Sequence, residues 1–407
     1  MNNQSRLAII GAGPIGLEAA LHATRAGLNV SLFERGQIAE NVRRWGHVRL
    51  FSPFGMNASE LGRAVLREQG HELPGDDALL TGAEFADAYL QPLSDLPEIR
   101  QILHEEADVF MIGRSGTWKR DLIGDARRSD APFRLLVRDA ASEKTVEADL
   151  VFDCSGTFDN HNWLGDGGIP CPGELDYECD IEYSLPDLAG NARAQYAGRH
   201  TLLIGSGYSA ATNLVALAGI AAESPETRIT WLTRRGETGP LTPIPDDPLT
   251  ERRRLTTTAN ALAVQPDGPV KWLAGYSVAA LARNDTEDGF SVAVRSLSGG
   301  SGNPLEVDRI IANVGYRPDR TVYEELQVHE CYASQGPIRL AAKLLGETSA
   351  DCLVQPTPDA GLLLHPEPGF FILGSKSYGR NSRFLMQTGL QQIHDVLSLL
   401  ASRTATD

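Results

Sequence analysis

The chain has 407 residues, 42% of them hydrophobic, with 37 Lys plus Arg against 53 Asp plus Glu and a net charge of −16. That length suits two or three domains with ordinary cores, and the acidic balance argues against nucleic acid or an anionic membrane as the main partner. No run approaches the roughly 18 apolar residues of a membrane span, and no charged-then-apolar leader opens the sequence, so a cytoplasmic protein is expected.

Residues 6–10 read as a buried parallel strand, 14–25 as a helix and 29–33 as a second strand, which makes the opening a βαβ unit. Between strand and helix lies GAGPIG. Gly11 permits the tight turn, Gly13 lets the backbone approach a pyrophosphate, and Gly16 lets the helix pack close to the strand. The helix opens with Pro14, and its free N–H groups and dipole face the phosphates. Glu34, followed by Arg35, closes the second strand, where a carboxylate can accept both hydrogen bonds of a ribose diol. Such a site prefers an unphosphorylated ribose, as in FAD or NAD.

Short β segments are predicted at 109–113, 133–138 and 145–148, and the apolar run 150–152 leads into Asp153, Cys154, Ser155 and Gly156. A second βαβ unit then follows: a strand over 200–204, the turn GSGYSA (Gly205, Ser206, Gly207, Ser209, Ala210), a helix over 208–218 and a strand over 228–232. It ends in Arg234 and Arg235 where the first unit has its acid. Guanidinium groups there pair with a 2′-phosphate, which favours NADPH over NADH.

Residues 236–269, rich in proline and threonine, read as an irregular excursion whose Arg252, Arg253 and Arg254 lie on a solvated helix face. Strands are predicted at 290–295 and 305–307, and the run 309–314 leads into Gly315. Each half therefore ends a β-rich excursion with a strand and a glycine turn, an internal duplication of plan. The tail offers a strand at 370–373, a turn at Gly374 and Ser375, and an amphipathic helix over 382–400. The expected fold is α/β, with two Rossmann-like dinucleotide-binding domains, the second inserted into the first. The expected limits are 1–158 and 311–407 for the FAD domain and 159–310 for the NAD(P)H domain.

In this order GAGPIG with Glu34, DCSGTFD, GSGYSA with Arg234 and Arg235, ANVGYRPD and FFILGS resemble the two-dinucleotide-binding-domain flavoproteins. That superfamily includes glutathione reductase, thioredoxin reductase and the flavin-containing monooxygenases, and the resemblance spans nearly the whole chain. It implies FAD on Gly11, Gly13, Pro14, Gly16, Glu34 and Arg35, with Trp45 and Gly156 nearby. Gly374, Ser375, Arg383 and Phe384 would reach the ribityl chain and flavin ring. It implies NADP on Gly205, Ser206, Gly207, Ser209, Ala210, Arg234 and Arg235, with Gly315 at the return. The chain departs from the reductases at Ser375, where they place an aspartate.

Five cysteines (Cys154, Cys171, Cys179, Cys331, Cys352) form no CxxC and no zinc-like spacing with histidine, so no metal site is expected and a reducing compartment fits. The two places where the reductases keep a redox cysteine pair, here Asn41–Phe54 and Asn191–His200, hold none. Disulfide reduction is therefore disfavoured. The remaining outlets are oxygen and direct reduction of a small organic acceptor, and oxygen is favoured: a single-component monooxygenase acting on a small nitrogen or sulfur nucleophile through a flavin hydroperoxide, most similar in character to the flavin-containing monooxygenases. Ketone oxygenation is less favoured, because the FxGxxxH element of Baeyer–Villiger enzymes is missing. His47, Arg49, Tyr378 and Asn381 are the candidate catalytic residues, walls of the flavin site. The expected partners are a small-molecule substrate and molecular oxygen, with the chain a monomer or homodimer. The alternatives are an NAD(P)H-dependent flavin reductase or dehydrogenase that does not oxygenate, and a redox-inactive nucleotide-binding interaction protein.

Overall fold

The computed structural model describes residues 5–236, 239–285, 288–346, 351, 353 and 359–404. The chain divides into two compact units, an outer one of residues 1–160 with 317–407 and an inserted one of residues 161–316. The observed breaks stand at 160/161 and 316/317, beside 158/159 and 310/311 from the sequence. Residues 311–316, Gly315 among them, lie in the inserted unit.

In chain order the strands of the first segment are β1 (Arg6–Ile10), β2 (Asn29–Phe33), β3 (Leu103–His104), β4 (Asp108–Arg114), β5 (Phe133–Arg138), β6 (Glu143–Ala148) and β7 (Leu150–Asp153). The inserted unit holds β8 (His200–Ile204), β9 (Arg228–Thr233), β10 (Val270–Ala274), β11 (Tyr276–Arg283), β12 (Phe290–Ser296), β13 (Leu305–Val307) and β14 (Arg309–Ala312), and the tail adds β15 (Phe370–Ile372).

The outer unit is built on a parallel sheet of order β15-β7-β1-β2-β3. Both faces of that sheet are covered, which is why its central strands are continuously apolar. Leu7 and Ile9 of β1 point into one core with the helices Pro14–Arg25 and Met386–Thr404, while Ala8 and Ile10 point into a second core shared with the antiparallel sheet β4-β5-β6. The alternation of successive side chains thus divides one strand between two cores. Strand order turns at β1, and the ligand-binding crevice of such sheets opens at the carboxyl ends of the strands flanking that point.

The inserted unit repeats the plan with a parallel sheet β10-β9-β8-β14 and an antiparallel sheet β11-β12-β13. Leu202 and Ile204 of β8 join Val278, Phe290 and Val292 in the core beneath the antiparallel sheet. The Tyr208–Glu223 helix runs one turn past its expected end.

Three expectations need correction. The stretch 236–269 is not irregular throughout, for Thr250–Val264 is a helix. Its Arg252 is 2% exposed rather than solvated, because Nε and Nη2 donate to the two carboxylate oxygens of Asp247 at 2.8 and 2.7 Å. Arg253 and Arg254 are exposed as expected. The tail helix begins at Met386, so Arg383 and Phe384 precede it, and the turn after β15 is a short 3₁₀ helix over Gly374–Tyr378.

Candidate functional site: two glycine turns

The first turn leaves β1 at Gly11, whose φ of +95° only glycine adopts at low cost. Its N–H donates to Phe33 O at 2.7 Å, which ties the turn to β2. A Cβ on Gly16 would stand 1.7 Å from Gly11 O, so helix and strand approach backbone to backbone. A Cβ on Gly13 would meet nothing within 4 Å, and Gly13 caps the Pro14–Arg25 helix without a side-chain bond. The open face above Gly13 and the uncapped first-turn N–H groups form an anion cradle.

Glu34 stands at the end of β2, half-buried, and accepts from Ala12 N at 2.7 Å and Gly36 N at 3.0 Å. These bonds fix the carboxylate beside the turn and leave lone pairs on both oxygens. Burial outweighs the two amides and holds the carboxyl above its ordinary range. Next to it, Arg35 is exposed and paired with Asp159, which also accepts from Arg44 Nη1 at 2.5 Å and Asn41 Nδ2 at 3.1 Å. The sequence gives no cue for that cluster, since Asp159 is more than a hundred residues away.

The second turn is a near copy. Gly205 has φ +128°, donates to Leu232 O at 3.1 Å, and would put a Cβ 2.3 Å from Asn313 O. Gly207 caps the Tyr208–Glu223 helix without a side-chain bond and also faces open space. The third position holds Ala210, fully buried, and Ser206 is exposed beside the half-buried Ser209. Two buried groups outside the motif brace the turn: Trp231 Nε1 donates to Gly205 O at 2.8 Å, and Asn213 Nδ2 donates to Asn313 Oδ1 at 2.8 Å. At the end of β9, Arg234 and Arg235 are both exposed. Thr233 Oγ1 donates to Arg235 O at 2.7 Å and accepts from Trp272 Nε1 at 2.9 Å, so the backbone under the arginines is fixed while their side chains reach solvent.

Residues 8–107 match the pyridine nucleotide-disulphide oxidoreductase family. The bacillithiol disulfide reductase Bdr of Bacillus cereus is similar over 98% of this chain and 99% of its own, with a TM-score of 0.70 at 17% identity. The cadaverine monooxygenase DfoA of Erwinia amylovora, solved bound to FAD, is similar over 97% and 94%, at 0.66 and 13%. The ornithine N-hydroxylase of Kutzneria sp. 744, solved with reduced FAD, NADP+ and L-ornithine, is similar over 98% and 99%, at 0.61 and 16%. The chain carries the two-dinucleotide-binding-domain flavoprotein fold. No curated protein matches it.

In this flavoprotein fold the carboxyl ends of β7 and β15 lie side by side in the outer unit. Gly156, with φ +71°, would put a Cβ 3.5 Å from Ser375 Oγ. Behind the two turns, Lys376 and Asp153 form an ion pair at 2.6 Å with neither side chain exposed. The sequence marks Asp153 only as the end of a strand and assigns neither residue a role, for they are 223 positions apart. A lysine between Ser375 and Ser377, just after the apolar run 370–373, is the cue the sequence carries.

The predicted wall residues are placed as follows. His47 is exposed. Arg49 is exposed and donates to Leu79 O, a loop-bracing contact. Tyr378 is a correction: it is 2% exposed, packs edge-on against Phe384, and belongs to the core rather than to an open wall. Asn381 Oδ1 accepts from Arg383 N at 3.0 Å and Nε at 3.3 Å, while Arg383 Nη2 donates to Leu344 O at 3.0 Å. Both are thus engaged in holding the segment ahead of the tail helix. Trp45 packs on Gly82, where a Cβ would stand 2.6 Å from the indole.

Cys154, Cys171, Cys179 and Cys331 are free thiols, and Cys352 lies outside the described residues. Burial pushes Cys154 well above the ordinary thiol range and Cys171 up to about 12, so neither supplies a thiolate near neutrality. No group of three or more His, Cys, Asp or Glu suited to a metal ion occurs among the described residues, nor a helix long and apolar enough to cross a membrane.

Proposed function

We propose that the outer unit binds FAD, that the inserted unit binds NADPH, and that the protein is an oxidoreductase passing a hydride from the second to the first. The observation that carries this reading is the pair of open, uncapped glycine cradles, one beside Glu34 and the other beside Arg234 and Arg235. A fixed carboxylate suits a free ribose diol, and two exposed guanidiniums suit a ribose phosphate. When bound, FAD supplies hydride acceptance and reactivity with oxygen that no side chain offers. The residues of the chain hold the phosphates, orient the ring and keep water away from it.

The finer reading is a monooxygenase that oxygenates a small nitrogen or sulfur nucleophile. It is supported by the cysteine-free segments at 41–54 and 191–200, and by the raised thiol of Cys154 beside the first turn. Two neighbours of the same fold are by name an N-hydroxylase and a monooxygenase, and another is a disulfide reductase. Oxygen uptake by the FAD-loaded enzyme with NADPH, across amines, thioethers, ketones and low-molecular-weight disulfides, separates the readings. Substrate-linked uptake without peroxide release supports oxygenation. NADPH oxidation that needs a disulfide and no oxygen would replace it with a reductase.

A further inference from the structure

We propose that Ser155 is a cofactor-binding residue of the outer unit, a hydroxyl wired as a hydrogen-bond acceptor for a ribityl hydroxyl. The inference rests on the reading that FAD occupies this unit. It assigns the acceptor role that the carboxylate absent at Ser375 would otherwise fill.

The argument is an account of protons. Ser155 Oγ has one proton to give, and it points to Asp153 Oδ1 at 2.6 Å. Lys376 Nζ has three: it donates to Asp153 Oδ2 at 2.6 Å and to Ser155 Oγ at 2.9 Å, and it stands 5.1 Å from the centre of the Tyr323 ring. Asp153 Oδ1 also accepts from Ser155 N at 3.1 Å. The direction of this ring of bonds cannot be reversed, because the ammonium has no lone pair and the carboxylate has no proton. Asp153 and Lys376 are completely buried, so neither can turn outward to relax it. Ser155 itself is exposed. Its hydroxyl therefore has one lone pair left to accept with and no proton to give.

Position selects what that lone pair meets. Ser155 follows β7, the strand between β1 and β15, and a Cβ on Gly11 would stand 3.0 Å from Ser155 Cα. On the other side, Gly156 lies against Ser375. Ser155 thus stands between the phosphate-binding turn and the turn after β15. An acceptor there repels a phosphate oxygen and attracts a hydroxyl, so it fits the sugar-alcohol chain that joins pyrophosphate to ring. The buried ion pair acts as a positioning device that polarises the serine, which explains why a costly buried charge pair sits directly beneath a surface turn.

The test is FAD affinity of the flavin-stripped full chain, measured by quenching of flavin fluorescence, for wild type, Ser155→Ala and Ser155→Thr. We expect about tenfold weaker binding for Ser155→Ala, the usual worth of one lost hydrogen bond to a polarised group, and near-native binding for Ser155→Thr. With an FAD analogue lacking the ribityl hydroxyls, wild type and Ser155→Ala should bind alike. Ser155→Ala binding FAD within twofold of wild type, or losing as much with the deoxy analogue, would overturn the inference. A fall in apoprotein melting temperature without a change in FAD affinity would overturn it too, leaving Ser155 as a brace for Lys376 alone. Failure of the wild type to take up FAD would instead overturn the underlying cofactor reading, and this inference with it.

Discussion

Replacing Arg234 and Arg235 with glutamine should convert the protein from NADPH-selective to indifferent between NADPH and NADH. Both side chains leave the end of β9 into solvent, over a backbone held by Thr233 and Trp272, so the substitutions remove charge without disturbing the fold. A charge-assisted hydrogen bond contributes about 1.5–3 kcal/mol, and an exposed one sits at or below the bottom of that range. At about 1.4 kcal/mol per arginine, each change costs roughly tenfold and the pair roughly a hundredfold in kcat/KM for NADPH. NADH lacks the 2′-phosphate, so its kcat/KM should move by less than about threefold. The assay is anaerobic stopped-flow reduction of the flavin by each nucleotide, repeated from low to high salt, because the attraction is screened with a Debye length near 10 Å at 0.1 M. An equal loss for NADPH and NADH, or a salt-independent loss, would refute the assignment.

Three further outcomes follow from the geometry. Gly16→Ala forces a methyl to within 1.7 Å of Gly11 O, and the separation of helix and turn should cost about 2–3 kcal/mol in urea unfolding together with FAD binding; near-native affinity would contradict the cradle. Glu367→Leu takes the shared carboxylate from the guanidiniums of Arg114 and Arg128, 1% and 0% exposed, and leaves them facing backbone carbonyls, so urea unfolding should show a loss of about 3–5 kcal/mol. A loss below about 1 kcal/mol would mean that the backbone carbonyls bonded to the two arginines compensate for the missing charge. His365 is held down to about 4 by burial, below its unfolded value of 6.5. Above pH 6.5 neither state protonates and its stabilisation is complete; as pH falls from 6.5 toward 4 the unfolded chain takes a proton that the folded ring refuses. Stability should therefore drop by up to about 3 kcal/mol across that window, and His365→Phe should flatten that part of the curve measured by thermal melts.

The two βαβ openings were legible because their signals are local. A buried strand, a glycine turn and an amphipathic helix each declare themselves within a few residues, and Arg6–Ile10, Pro14–Arg25, Asn29–Phe33 and His200–Ile204 have the limits that their apolar runs imply. The Thr250–Val264 helix was illegible for the opposite reason. Its threonines disfavour helix, and its buried face, Arg252, Leu255, Thr256 and Ala259, has helical spacing but puts an arginine, bonded to Asp247, and a threonine at two of the four positions, which blurs the apolar period. The site divides along the same line. Glycines and strand-end residues follow from spacing, whereas Ser155, Lys376 and Asp153 acquire their roles from a contact across 223 residues, and Tyr378 turned inward because its ring packs on Phe384 and the tail helix. Long-range polar contacts leave no periodic trace, and the candidate wall residues lie in turns and loops and at the end of a short 3₁₀ helix, where side-chain direction is set by tertiary packing.

The central claim is that a nicotinamide bound in the inserted unit reduces a flavin bound in the outer one. The direct measurement is to load the purified chain with FAD, exclude oxygen, add NADPH and follow the visible flavin band. Stoichiometric bleaching that reverses when air is admitted is the predicted result. A chain that takes up no FAD, or holds FAD that NADPH leaves coloured, would contradict it.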